Sequence, residues 1–273
     1  MASEPSTRSR TRASGSFVRS TPGSHSLERG LALLRAFRLG GRTLSNAELA
    51  ERTGLPRPTV SRLTRSLVDA GFLAYDHQQQ GYRLGAVCLT LALVYRASER
   101  ALEVALPLMR SLAEGRRVNV GLAMADQLEM VYLDSVRLSR LGMFRRIVPG
   151  SRIPIASTAL GCAFLAGLAV AERKALLLRL RQAQGSGWPA LQRGVEAALA
   201  SVRARGFCRA QWQAGMVSVA APLRTPGGEL YALNVSFPVP ASAQERQEGE
   251  EDHVALLQRL AADIQAAWAA AAL

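Results

Sequence analysis

Apolar positions recur along this chain with two different periods, mostly helical from Ser26 to Arg116 with one strand-like stretch between, and then alternating between strand-like and helical. Leu27, Leu31, Leu34 and Phe37 fall at helical spacing behind Ser26, which predicts a helix capped by that serine whose apolar side closes a small core. Ser45 followed by Glu48 is a capping box, with Leu44 and Leu49 at the two positions of a hydrophobic staple. The helix it opens ends at Thr53, because Gly54 suits a C-terminal stop and Pro56 and Pro58 resist continuation. Pro58 in turn suits the first turn of a further helix, where its missing N–H costs nothing. In that helix Val60, Leu63 and Leu67 form one apolar stripe, leaving Thr59, Ser61, Arg62, Arg65 and Ser66 on the other faces. Gly71, the apolar run Phe72 to Tyr75, a polar turn from Asp76 to Gly81 and then Tyr82 to Leu84 read as a β-hairpin.

From Ala86 to Arg116 the chain is helix-prone, with Leu89, Leu93, Leu102, Leu106, Met109 and Leu112 among its apolar positions and Pro107 as a break or restart. Beyond it, Val118 to Met124, Glu129 to Val136 and Leu141 to Val148 read as strands. Helices are expected at about Ser157 to Leu168, from Glu172, and around Gln192 to Arg205. Strands return at Phe207 to Trp212, Val217 to Leu223 and Leu230 to Phe237, and an Ala- and Leu-rich helix closes the chain from about Asp252. This order predicts an α+β protein: a winged helix-turn-helix over 25–85, linker helices over 86–116, and an antiparallel sheet with helices packed on it over 117–273. Residues 1–24, rich in Ser, Thr, Arg and Pro without the apolar stretch of a secretory signal, read as a disordered basic arm.

Charge sharpens this picture. The chain carries +13, with Lys174 its only lysine, and the segment from Met1 to Gly85 alone holds thirteen Arg against six acids. Positive charge concentrated on a helix-turn-helix is the footprint of a module that meets phosphates. The face carrying Thr59, Ser61, Arg62 and Arg65 has the chemistry of a recognition helix, since arginine bridges two acceptors on guanine and small hydroxyls contact bases or phosphates. Arg57 at the start of that helix and Arg83 in the wing complete the expected DNA-facing set. The plainer alternative is a helical adaptor whose Arg62 and Arg65 are a solvated face.

Other chemistries find little support. Cys88, Cys162 and Cys208 lie far apart, as do His25, His77 and His253, so neither a metal centre nor a Cys–His pair is expected, and no cofactor is called for. Phosphate-loop, dinucleotide, nucleophile-elbow and zinc-protease motifs are absent from the sequence, which disfavours an enzyme. The uncharged stretch from Ile153 to Ala171 is as long as a spanning helix, yet Pro154, Ser157, Thr158, Gly161 and Gly167 interrupt it, so a buried helix and a cytoplasmic protein without membrane association are expected.

Four blocks, SLERGLALLRAF, LSNAELAERTGLPRPTVSRLTRSLVDAGFL, YRLG and GSRIPIASTALGCAFLAGL, in this order and spanning nearly the whole chain after Ser24, resemble the IclR family of bacterial transcriptional regulators. The resemblance implies a winged-helix domain, a linking helix and a GAF-like effector-binding domain, assembling as homodimers or homotetramers on double-stranded operator DNA. It places a small-molecule effector, a small organic or aromatic acid, between the sheet and the loop entering the helix after GSRIP. Carried over residue by residue, the amides of Ala159 and Leu160 face the ligand at that helix start, where N–H groups and the dipole favour a carboxylate. Ser218, Asn234 and Ser236 are implied as its hydrogen-bonding partners, and Ile153 and Met216 as apolar wall. The run FCRAQWQA between Gly206 and Gly215 lacks the acids that family members often carry there, and Arg145 or Arg146 is an alternative contact for an acid. Two readings of other classes stay open beside the regulator: a sensor that acts through protein contacts alone, and an unmarked enzyme of small-molecule metabolism.

Overall fold

The computed structural model describes residues 23–41, 43–137, 147–213, 215–239 and 243–273. The chain forms two compact units that divide between Cys88 and Leu89.

The first unit holds α1 (His25–Arg35), α2 (Asn46–Thr53), α3 (Arg57–Asp69) and a two-stranded hairpin, β1 (Leu73–Asp76) and β2 (Gly81–Leu84). Ser24, not Ser26, caps α1: its side chain accepts from the amide of Leu27. The shift matters for packing. Gly30, Leu33 and Ala36 turn inward, while Leu27 and Leu31, expected in the core, are 62% and 49% exposed. The capping box forms as the sequence predicts, with Ser45 Oγ accepting from the Glu48 amide and Glu48 Oε2 accepting from the Ser45 amide at 2.8 Å. Both staple residues, Leu44 and Leu49, are buried with Leu33 and Val60 in the small core. Gly54 ends α2 in the left-handed conformation, and Pro58 sits in the first turn of α3. The wing is tied back by Leu44, which exchanges backbone hydrogen bonds with Tyr82, while Asp76 accepts from the amides of Gln78 and Gln79 to close the turn.

α4 (Val87–Ser98) carries the chain across the division, and α5 (Arg100–Arg116) follows after a break at Glu99. The break falls there and not at Pro107, which lies inside α5. Residues 86–116 are more than the linker that the sequence predicts, for α5 buries Ala101, Leu102, Ala105, Met109 and Ala113 in the core of the second unit.

The second unit is built on a six-stranded, wholly antiparallel sheet: β3 (Asn119–Asp126), β4 (Glu129–Val136), β5 (Arg152–Pro154), β6 (Cys208–Gln213), β7 (Met216–Arg224) and β8 (Leu230–Pro238), in the order β5-β4-β3-β8-β7-β6. Ile153, at the start of the uncharged stretch and before the helix expected from about Ser157, lies in the short edge strand β5. Pro154, which ends that strand, keeps the helix from starting earlier. The expected strand over Leu141–Val148 falls mostly outside the described residues, and Ile147 and Val148 themselves are not in a strand. One face of the sheet packs on α5 and α9 (Ala243–Ala270), which begins earlier than the expected Asp252. There Val217, Val219, Leu233 and Val235 meet Leu257, Ile264 and Trp268, and the Trp268 indole N–H donates to the Ala101 carbonyl at 2.8 Å. The other face carries α6 (Ala159–Gly167), α7 (Val170–Gln184) and α8 (Trp188–Arg205), which bury Ile155, Leu160, Leu165 and Val195. Period-two alternation along β7 and β8 thus sends the odd-numbered residues to one core and the even-numbered ones to the other side.

Candidate nucleic-acid interface and effector cleft

α3 is anchored by what it buries. Val60 and Thr64 are fully inaccessible, and Thr64 Oγ1 donates to the Ser61 carbonyl, which lets a polar residue occupy the inner face. That anchoring fixes the outer face. Arg57, Ser61, Arg62 and Arg65 are exposed, Thr59 is half-buried, and Arg83 is exposed on β2. Among the described residues, the guanidinium groups of Arg57, Arg62, Arg65 and Arg83 form no ion pair and no hydrogen bond. Each therefore keeps its full donor set, which is what phosphate and guanine recognition requires.

On the sheet face covered by α6, a cleft encloses about 480 Å³, its open mouth included. Small residues stand beside Asn234, one of the residues that line it. Gly121 on β3 and Ala220 on β7 flank Asn234 on β8, and a Cβ at Gly121 would come within 2.4 Å of the Tyr132 ring and 2.7 Å of Asn234 Oδ1. Asn234 is buried, its Nδ2 donates to Ser218 Oγ at 2.9 Å, and its Oδ1 has no partner among the described residues. A bulge in β4 at Leu133 shifts the pairing with β3, so that Tyr132 and Arg137, five residues apart, both line the cleft while Leu133 faces the opposite core.

The cleft ends at the start of α6. Thr158 caps that helix: its Oγ1 accepts from the Gly161 amide and donates to the Pro154 carbonyl at 2.6 Å. Gly161 is required at this turn, because a Cβ there would lie 2.1 Å from the Ile155 carbonyl oxygen. The amides of Ala159 and Leu160 precede the helical ladder, and both residues are buried against the cleft, so the helix end presents N–H groups and positive dipole to whatever occupies it.

Seven residues singled out from the sequence, Ile153, Ala159, Leu160, Met216, Ser218, Asn234 and Ser236, line this one cleft together. Arg145, and Arg146 with it, lie outside the described residues. Sequence reasoning missed Tyr132, Arg137, Ile147, Thr158 and Trp212. A threonine directly before the apolar run of α6 is a local signal that could have marked Thr158 as its cap, whereas Tyr132 and Arg137 depend on the β4 bulge, which no local pattern announced. Burial raises the Tyr132 phenol to about 12, so the ring is neutral. The two thiols nearby are neutral as well: burial lifts Cys162 to about 11 and Cys208 higher still, and Cys208 Sγ sits 3.3 Å from the Ala159 carbonyl oxygen. Arg152, by contrast, is a structural clamp, paired with Asp126 at 2.6 Å and Glu129 at 2.7 Å to hold β5 against the β3–β4 hairpin. Among the described residues no helix is long and apolar enough to cross a membrane.

Comparison with known proteins agrees with both halves of this description. Residues 26–77 match the IclR helix-turn-helix domain and residues 95–266 the bacterial transcriptional regulator IclR C-terminal domain. The chain is 30% identical over 249 residues to the HTH-type transcriptional regulator TsaQ1/TsaQ2 of Comamonas testosteroni, covering 90% of this chain and 89% of that one. Among solved structures, an IclR family transcriptional regulator from Brucella abortus superposes with a TM-score of 0.77 at 35% identity, covering 89% of this chain and 91% of that chain. An IclR homologue from Microbacterium hydrocarbonoxydans, solved in complex with 4-hydroxybenzoate, superposes with a TM-score of 0.66 at 24% identity over 90% of this chain and 99% of that chain. The exposed arginine-bearing helix, the wing and the sheet-and-helix cleft are thus the parts of a transcriptional regulator, and the chain belongs to the IclR family.

Proposed function

We propose that α3 enters the major groove of operator DNA, with Arg62, Arg65, Ser61 and Thr59 toward base edges and Arg57 and Arg83 toward phosphates. The observation that carries this reading is the set of guanidinium groups on α3 and the wing that have no partner among the described residues. A small organic or aromatic acid in the cleft of the second unit modulates that binding. The free amides at the start of α6 and the hydroxyl and amide groups of Ser218, Asn234 and Ser236 support an acid as ligand. The neighbour that holds 4-hydroxybenzoate shares this fold.

The protein acts as a homodimer or homotetramer in the cytoplasm. α4 supports a pairing role: Leu91, Val94 and Tyr95 share one stripe and are 52%, 62% and 46% exposed, an apolar surface that water disfavours. Ligand-driven change reaches α4 through Arg96, whose guanidinium pairs with Asp134 and donates to the Leu133 carbonyl at 3.0 Å, on the same strand as Tyr132. An effector acts here only through different affinities for two arrangements of the recognition helices.

The test is retardation of the DNA upstream of the protein's own gene across a salt series. Wild type binds specifically and log K falls steeply with log salt. Arg62→Ala and Arg65→Ala variants lose specificity or flatten the slope, by about one for each arginine–phosphate pairing removed. Folded variants that bind with unchanged specificity and slope refute the assignment of α3.

A further inference from the structure

One charge in the cleft has no answer among the described residues. Arg137, just beyond β4, lines the cleft; its Nε is buried and has no hydrogen-bond partner there. Among the described residues that line the cleft, none is an aspartate or glutamate, and Tyr132 is held neutral by burial. The contrast with other arginines of this unit is informative: Arg152 is met by two carboxylates, Arg96 by one, and Arg173 and Arg224 by backbone carbonyls. Arg137 is half-buried, and a guanidinium nitrogen withdrawn from water without an acceptor is unfavourable, a cost that is relieved where the acceptor arrives with a ligand.

Across the same cleft, Asn234 is half-satisfied. Its Nδ2 is engaged by Ser218, while Oδ1 is buried and, among the described residues, unpartnered. Ile147, Ile153 and Trp212 give the remaining wall an apolar character. The cleft therefore combines one cation, one buried acceptor without a partner among the described residues, and apolar wall.

We propose that Arg137 is the charge-recognising residue of this cleft and that its ligand is a hydroxy- or amino-substituted organic acid, the carboxylate paired with Arg137 and the hydroxyl or amino hydrogen donated to Asn234 Oδ1. This rests on the reading of the cleft as the effector site and narrows the ligand class within it. Two groups are recognised at once, so a parent acid without the donor binds more weakly, and an uncharged amide of the same shape does not bind. Arg137 also differs from a structural arginine in what its removal does to the empty protein: its loss frees a buried, unpartnered Nε and breaks no ion pair among the described residues.

The experiment uses the full chain and paired probes: 3-hydroxybenzoate and 4-aminobenzoate against benzoate, lactate against propionate, and 3-hydroxybenzamide as the uncharged control, each by thermal shift and calorimetric titration. At least one substituted acid raises Tm and binds tenfold or more tightly than its parent acid, and the amide gives no shift. Arg137→Met unfolds no earlier than wild type without ligand, yet binds the responsive acid at least tenfold more weakly, and Arg137→Lys falls between. Asn234→Ala brings the substituted and parent acids to within about threefold of each other. The proposal is overturned if no substituted acid stabilises wild type, if Arg137→Met binds the acid as wild type does, or if Arg137→Met melts earlier than wild type in the absence of ligand. DNA retardation on the same samples separates the two readings. Loss of acid selectivity with intact DNA binding sinks the ligand class alone, whereas acid binding through Arg137 by a wild type that ignores DNA sinks the regulator.

Discussion

Adding a single methyl group at Gly121 should close the cleft without touching the DNA-binding unit. The Cβ of Gly121→Ala would sit 2.4 Å from Tyr132 Cε1 and 2.7 Å from Asn234 Oδ1, where ordinary contacts begin near 3.4 Å, so both side chains must move by most of an ångström. Neither moves freely: Tyr132 is 7% exposed within the α6-side core, and Asn234 is held by Ser218. Overpacking of this kind costs roughly 1–3 kcal/mol. For a unit of this size each kcal/mol lowers Tm by roughly 2–4 °C, so a fall of about 2–12 °C is expected in the melting of the second unit. Calorimetry of the full chain reads it, and titration with a responsive acid reads the accompanying loss of binding, since two residues that line the cleft are displaced together. Gly115→Ala is the control: Gly115 is exposed near the end of α5 with no atom near its Cβ position, so alanine there is neutral or stabilising by up to about 1 kcal/mol. If Gly121→Ala melted with wild type and bound the acid unchanged, the crowding at this rung would not govern the cleft.

Three further outcomes follow from the same structure. Leu91→Glu combined with Val94→Glu places charge on the exposed stripe of α4 and is expected to shift the sedimentation profile to a smaller species and weaken DNA binding; an unchanged profile removes α4 from the pairing surface. Asp134→Ala leaves the Arg96 guanidinium without its carboxylate, so it should cost about 1–3 kcal/mol in unfolding free energy and blunt the effect of acid on DNA retardation while acid binding itself persists; full coupling in that variant would refute the β4 route. Hydrogen bonds from the Ser45 backbone and side chain hold the Glu48 carboxyl below its ordinary value. A depressed folded value gives stability that is present above the unfolded carboxylate range and lost as pH falls through the folded value. Melting of wild type should therefore drop more steeply on acidification than that of Glu48→Gln, and parallel curves would show that the capping box does not contribute.

The DNA-facing half was legible because its signals are local. A capping box, a staple, two prolines and an apolar stripe each act within about four residues, so Ser45, Gly54 and Pro58 specified α2 and α3 before any tertiary contact was known. Where two local solutions competed, the sequence was ambiguous: Ser24 and Ser26 both suit a cap, and only packing of Leu33 against Leu49 and Val60 chose the one that leaves Leu27 and Leu31 outside. Pro107 stood in the same position, since a proline inside a helix is disfavoured locally yet tolerated once α5 is held by the sheet and α9.

The cleft divides along the same line. Alternation places Asn234 and Ser236 on one side of β8, because strand geometry fixes period two, whereas Ser218 was joined to them by the family resemblance and shares their face through the β7–β8 register. Only the tertiary structure decided what they face. The β4 bulge brings Tyr132 to that side, the close approach at Gly121 makes room beside Asn234, and Arg137 becomes a cleft residue with no acid among the described residues that line it. Those relations join β3 and β4 to the distant β7 and β8, as Gly121 to Asn234, where chain sequence carries no spacing signal and only the folded sheet brings the partners together.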